Sequence, residues 1–200
     1  MKDLVVLVAD KNMEAAMRTL LEKRHQALGI RQIQTDIFVH PRRDPGVLRE
    51  ADKFLQPFCK EYRYALVVFD YEGCGQENLQ PQQIEADVKK RLENAGWSGR
   101  CEVIVLNPEL EIWVWSNSHH VLKALGLSPE AMKSILQRYP RNQHGKPLRP
   151  KEAMEECLRQ SKIPRSSSIY AELAERVSLK GCVEQSFVKF RNVLQKWFAQ

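Results

Sequence analysis

Two hundred residues, 43% hydrophobic and 28% charged, give the length and composition of one globular domain with an appendage, which excludes wholesale disorder. The formal net charge of +6 is unevenly spread. Residues 1–130 hold 17 basic and 19 acidic side chains, whereas residues 131–200 hold 14 and 6, so the positive surplus belongs to the last third.

Leu4–Ala9 is a continuous apolar run, the pattern of a strand buried on both faces, and too short for a signal-peptide core or a membrane span. Asp10-Lys11-Asn12 breaks it. The apolar spacing from Met13 to Leu28 predicts a helix that Gly29 stops. Ile33–Val39 alternates as a second, edge-type strand, and His40–Gly46 reads as a loop. Val47–Cys59 has helical spacing. Ala65–Phe69 is the third strand and ends at Asp70; a loop with Gly73 and Gly75 follows. Ile84–Ala95 is a helix with Pro81 near its start and Gly96 past its end. Cys101–Leu106 is the fourth strand. Glu109–Trp115, after Asn107-Pro108, fits either strand or helix, and core packing is the expected role of Trp113 and Trp115.

Beyond Ser128 the pattern turns helical and basic, with helices predicted over Pro129–Tyr139, 151–160, 168–178 and 183–198, and a Pro- and Arg-rich loop over 140–150. Alternating strands and helices predict an α/β domain over residues 1–128, built on a mainly parallel open sheet flanked by helices. A helical, basic C-terminal part over 129–200 packs on it. Five cysteines (Cys59, Cys74, Cys101, Cys157, Cys182) with no CxxC pair suit neither a disulfide framework nor a zinc site, and point to a reducing, cytoplasmic location. No dinucleotide or P-loop fingerprint is present.

Three strands lead into acids: Asp10 with Glu14, Asp70 with Glu72, and Glu109 with Glu111. In an open parallel sheet ligands gather beyond the carboxyl ends of the strands, so these acids share one edge. If the chain is extended there, Asp70 and Glu72 converge, as do Glu109 and Glu111. Crowded carboxylates call for a cation, and hard oxygen donors select Mg²⁺ or Mn²⁺ over zinc. The alternative for each acid is a solvated side chain or a helix cap, as at Asp10.

Three stretches carry a family resemblance: ALVVFDYEGCG (65–75), VIVLNPELEIWVWS (103–116) and VSLKGCVEQSFVKFRNVLQKW (177–197). Together they resemble the TOPRIM superfold, most closely small TOPRIM-like proteins related to the overcoming-lysogenization-defect nucleases. The resemblance implies a TOPRIM-like sheet whose first-strand acid and D-x-D pair hold Mg²⁺ for nucleic-acid strand cleavage. It also implies a setting in bacterial antiphage defence, with other defence proteins as partners. The family's first-strand glutamate falls on Ala9, so Asp10 or Glu14 stands in, and the D-x-D is Asp70-Tyr71-Glu72. The expected metal set is Asp10, Glu14, Asp70, Glu72, Glu109 and Glu111, with Asp70, Glu72 and Glu14 catalytic.

Arg42, Arg43, Arg141, Lys146, Arg149 and Arg165 are the expected nucleic-acid contacts, within a basic set that also holds Lys151, and Tyr139 and His144 could stack on bases. His40 is either a phosphate contact or part of a solvated loop. His119 and His120 are either a proton relay or part of a surface cap after Ser116-Asn117-Ser118. Lys189 is either a phosphate neutraliser or a solvated helix residue. The reading that follows is an Mg²⁺-dependent nuclease acting on DNA or RNA, with no membrane partner. The alternatives are a non-catalytic nucleic-acid- or partner-binding subunit and, less favoured, a receiver-like domain phosphorylated on Asp70.

Overall fold

The computed structural model describes residues 1–115, 118–179 and 181–199. Four strands, β1 (Lys2–Val8), β2 (Thr35–Val39), β3 (Tyr62–Asp70) and β4 (Cys101–Leu106), form a parallel sheet in the order β2-β1-β3-β4. The register pairs Val8 with Val39 and with Val68, and Asp70 with Leu106, so the carboxyl ends lie side by side. Leu4–Val8 and Ala65–Phe69 are buried because helices cover both faces of the two central strands.

The connecting helices are α1 (Lys11–Lys23), with the short α2 (His25–Leu28), then α3 (Arg43–Leu55) and α4 (Pro81–Leu92). The crossover through α1 runs one way along the sheet and those through α3 and α4 run the other. Right-handed connections therefore put α1 on one face and the packed α3–α4 pair on the opposite face. Gly29 closes α2 with φ +74°, a left-handed conformation that suits glycine, as its place after Leu28 predicts.

After β4 come α5 (Glu111–Val114), α6 (His119–Leu125), α7 (Pro129–Leu136), α8 (Pro150–Ser161), α9 (Ser167–Arg176) and α10 (Gln185–Phe198). Of these, α9 packs on α1, α8 on α5 and α7, and α10 on β4. Near the end of α10, Trp197 stacks on Tyr64 with ring centroids 4.6 Å apart.

The one helix expected over Met13–Leu28 is α1 and α2, α6 has no counterpart among the predicted helices, and two segments near the acids are redrawn. Residues 43–46 are the first turn of α3 and not loop, since Pro45 is tolerated in a first turn and Asp44 suits the positive end of the helix. Glu109–Trp115 resolves to a short helix, α5, which buries Ile112 and Val114 and leaves Trp115 buried just beyond it. The predicted cap residues Ser116 and Asn117 lie outside the described residues, whereas Ser118 caps α6 by accepting the His120 N–H.

Candidate functional site

The sheet order reverses between β1 and β3, the place in such a fold where adjacent connections leave in opposite directions and open a crevice. The acids gather there. Asp10 follows β1 and caps α1, its Oδ1 accepting the Met13 N–H at 2.9 Å. Asp70 ends β3, and its Oδ1 accepts the Leu110 N–H at 2.9 Å. Asp44, in the first turn of α3, accepts the Asp70 N–H at 2.8 Å. Glu109 and Glu111 come from the segment after β4 and are both buried.

Asp70 keeps part of its surface open, yet protein surrounds it closely. Burial first, and then the charges of Asp44, Glu111, Glu109 and Asp10, push its carboxyl well above the usual range. Burial likewise raises Asp44, reinforced by Asp10 and opposed by the Asp70 N–H and Lys151. Glu109 is raised by burial, with Lys151 opposing and Glu111 and Glu72 adding repulsion.

The C-terminal helices supply counterions. Lys151 of α8 reaches Glu109 at 3.3 Å; burial alone would lower its pKa, but Glu109 and Glu111 outweigh that and raise it. Glu111 accepts the Tyr170 hydroxyl at 2.5 Å and Arg165 at 3.0 Å. The three aspartates differ. Each accepts a backbone N–H through Oδ1, and among the described residues no side-chain cation contacts any of them.

The expected acids divide accordingly. Asp10, Asp70, Glu109 and Glu111 are brought together. Glu14 is taken up instead by Lys11 at 2.7 Å and Arg18 at 3.2 Å. The chain turns after Asp70, so Glu72 does not share an extended face with it; Glu72 is exposed and acts on Glu109. Asp44 is the member that the sequence reading missed. An acid just beyond the end of β2, like those beyond the other strands, was the available signal.

The predicted phosphate contacts fare unevenly. Arg165 is spent on Glu111, Glu155 and the Tyr170 hydroxyl. Lys146 is 12% exposed and held by Glu184 at 3.0 Å and the Ile112 carbonyl at 2.8 Å. His40 is buried, its Nδ1 accepting the Arg42 N–H, so it offers no phosphate contact. Arg42 is paired with Glu50 and Arg149 with Glu152, both at exposed positions. Arg43 and Arg141 are exposed and, among the described residues, in no ion pair. Tyr139 donates to Glu156, and His144 stays exposed. Lys189 joins a network described below, so neither reading of it holds.

An all-oxygen donor set suits a hard divalent cation. Among the described residues, however, no three acid, histidine or cysteine side chains meet in the arrangement of a finished metal centre. No helix among the described residues is long and apolar enough to cross a membrane. Compared with protein-family models, with curated proteins and with solved structures, the chain finds no significant match.

Proposed function

We propose that this protein is a divalent-cation-dependent phosphodiesterase acting on DNA or RNA, with the acid cluster at the β1–β3 crevice as its centre. The observation that carries the reading is Asp70 ringed by Asp10, Asp44, Glu109 and Glu111 at the sheet's switch point. Such crowding disfavours ionisation of Asp70, and Mg²⁺ or Mn²⁺ would relieve it. Asp10, Asp44 and Asp70 are the residues to hold the cation, because each has satisfied one oxygen with a backbone N–H and, among the described residues, touches no side-chain cation. A bound cation would supply polarisation of a phosphoryl oxygen and a more acidic water.

The chain's own residues do the rest. The Leu110 and Asp70 amides fix the aspartate carboxylates, so that these need little reorganisation when a cation arrives. Lys151 pairs with Glu109 and Arg165 with Glu111, so these two glutamates already have counterions, which among the described residues contact none of the three aspartates. Exposed Arg43 and Arg141 are left to meet a phosphate backbone. Bacterial antiphage defence is the setting that the sequence resemblance suggests for such an activity.

A second reading, a binding subunit with a degenerate site, is favoured by one specific observation: Glu109 and Glu111 already have their counterions, and no finished metal centre is assembled among the described residues. One experiment separates the two. Single- and double-stranded DNA and RNA are incubated with Mg²⁺ or Mn²⁺ and with wild type or Asp70→Asn. Cleavage that the substitution abolishes supports the enzyme. Equal residual signal from both proteins overturns it, and nucleic-acid binding indifferent to metal then marks the binding subunit.

A further inference from the structure

A cavity of about 600 Å³ opens between α5, α6, the 144–147 loop and the stretch that follows α9. None of the clustered acids lines it. Its size lies within the range of small-molecule sites. Its lining includes the apolar side chains of Trp113, Trp115, Leu136 and Pro147. It also includes His119, His120, His144 and Arg176, and among the described residues no aspartate or glutamate lines it.

We propose that this cavity binds a small phosphate-bearing molecule with a flat apolar body, its histidines and Arg176 taking the phosphate and its tryptophans the body. His120 Nδ1 is buried and finds no hydrogen-bond partner among the described residues, which is costly unless a ligand supplies one. The rings of His119 and His120 lie 3.9 Å apart, and both residues line the cavity. The charged neighbours with the largest effect on His120 are His119, Arg176, Lys123 and Arg24. That positive surrounding, which with desolvation lowers the His120 pKa, favours an anion. A transition metal fits less well, since no three ligating side chains converge among the described residues.

Lys146 also lines the cavity, but Glu184 and the Ile112 carbonyl hold its ammonium, so it contributes wall more than charge. Arg176 is 47% exposed and its Nε lies 3.3 Å from Glu172 within the same helix, which leaves the rest of its guanidinium fork for a phosphate.

The test is calorimetric titration of the full chain with adenosine monophosphate, adenosine and inorganic phosphate. Saturable binding of the monophosphate is expected, tighter than either half alone. Arg176→Ala, on an exposed helix face, should weaken it roughly tenfold, the loss of one charge-assisted contact. His119→Ala, also at an exposed position, should weaken it as well, with circular dichroism unchanged for both. Affinity should be the same in EDTA as in Mn²⁺. No saturable binding overturns the proposal, as does binding that ignores both substitutions. Binding that requires Mn²⁺ also overturns it, because the ligand would then belong to the acid cluster, and failure of the nuclease assay leaves the proposal standing.

Discussion

The carboxylate of Asp44 accepts the backbone N–H of Asp70 at 2.8 Å, so the acid that opens α3 also fixes the last residue of β3. Two like charges are thereby held close by a bond that does not involve the Asp70 side chain. Lys151 offsets part of the charge on Asp44, and a bound proton or cation would relieve the remaining repulsion. The crevice is thus built at a cost to stability, the common mark of a site kept for function.

The cost has a sign that pH reveals. In the unfolded chain Asp70 titrates near pH ~3.9, while burial and then Asp44, Glu111, Glu109 and Asp10 raise it in the folded state. Between those two values the folded protein binds more protons. Stability therefore falls as pH rises through the window, by about 1.4 kcal/mol per pH unit for this one group. Asp70→Asn keeps an oxygen for the Leu110 N–H and carries no charge. Urea melts should show the Asp70→Asn variant more stable than wild type at neutral pH, with the gap closing toward pH ~4. A gap independent of pH would mean that the crowding is harmless. Saturating Mn²⁺ should narrow the gap at neutral pH by stabilising wild type alone.

Tyr170→Phe tests the opposite wall. Glu111 is buried and depends on the Tyr170 hydroxyl and on Arg165. Deleting the hydroxyl strips a buried carboxylate of a donor and should cost about 1.5–3 kcal/mol in urea unfolding. In a Glu111→Gln background the same deletion should cost measurably less, because the two groups act as a unit. Additive losses would show that the bond carries no coupling.

The sheet was legible because its strands are uniform apolar runs, and Leu4–Ala9, Ala65–Phe69 and Cys101–Leu106 each lie within or across an observed strand. The shared acidic edge followed from that order. What periodicity could not deliver is partnership between distant segments. Arg165 and Lys146 look like free cations in a basic loop, yet Glu111 and Glu184 neutralise them from elsewhere in the chain. His40 sits beside two arginines in sequence, but its ring turns inward against Phe54 with centroids 5.5 Å apart. Asp44 was hidden because Pro41, Pro45 and Gly46 suggest a loop, whereas the proline is accommodated in a first helical turn.

Gly46 makes that first turn possible. A Cβ added there would lie 2.2 Å from His40 Nδ1 and 2.7 Å from Arg42 Cβ, and His40 has nowhere to go because it is buried. Gly46→Ala should therefore lower stability by about 1–3 kcal/mol through overpacking. The displaced turn carries Asp44, so the Asp70 amide should exchange its hydrogen faster in the variant by more than the global loss explains. Exchange that tracks global stability alone would detach Asp44 from the turn.

The open edge of the sheet supplies the last prediction. Among the described residues β4 has no strand beyond it, and its outward backbone groups are taken by side chains: Glu85 accepts the Val105 N–H at 2.9 Å and Lys189 donates to the Val103 carbonyl at 2.7 Å. Glu85 and Lys189 then pair with each other at 3.0 Å, and Lys189 lies 3.4 Å from Glu102, which Lys89 also holds. Unsatisfied edge groups are templates for pairing with another chain. Glu85→Ala leaves both the Val105 N–H and the Lys189 ammonium without this partner, and should cost about 1–3 kcal/mol. Light scattering over a dilution series should then show more self-association than the parent chain. Adding Lys189→Met should cost less than its single effect, since the ammonium has already lost the nearer of its two carboxylates. A Glu85→Ala protein with parental stability and parental scattering would show that α10 shields the edge by packing alone.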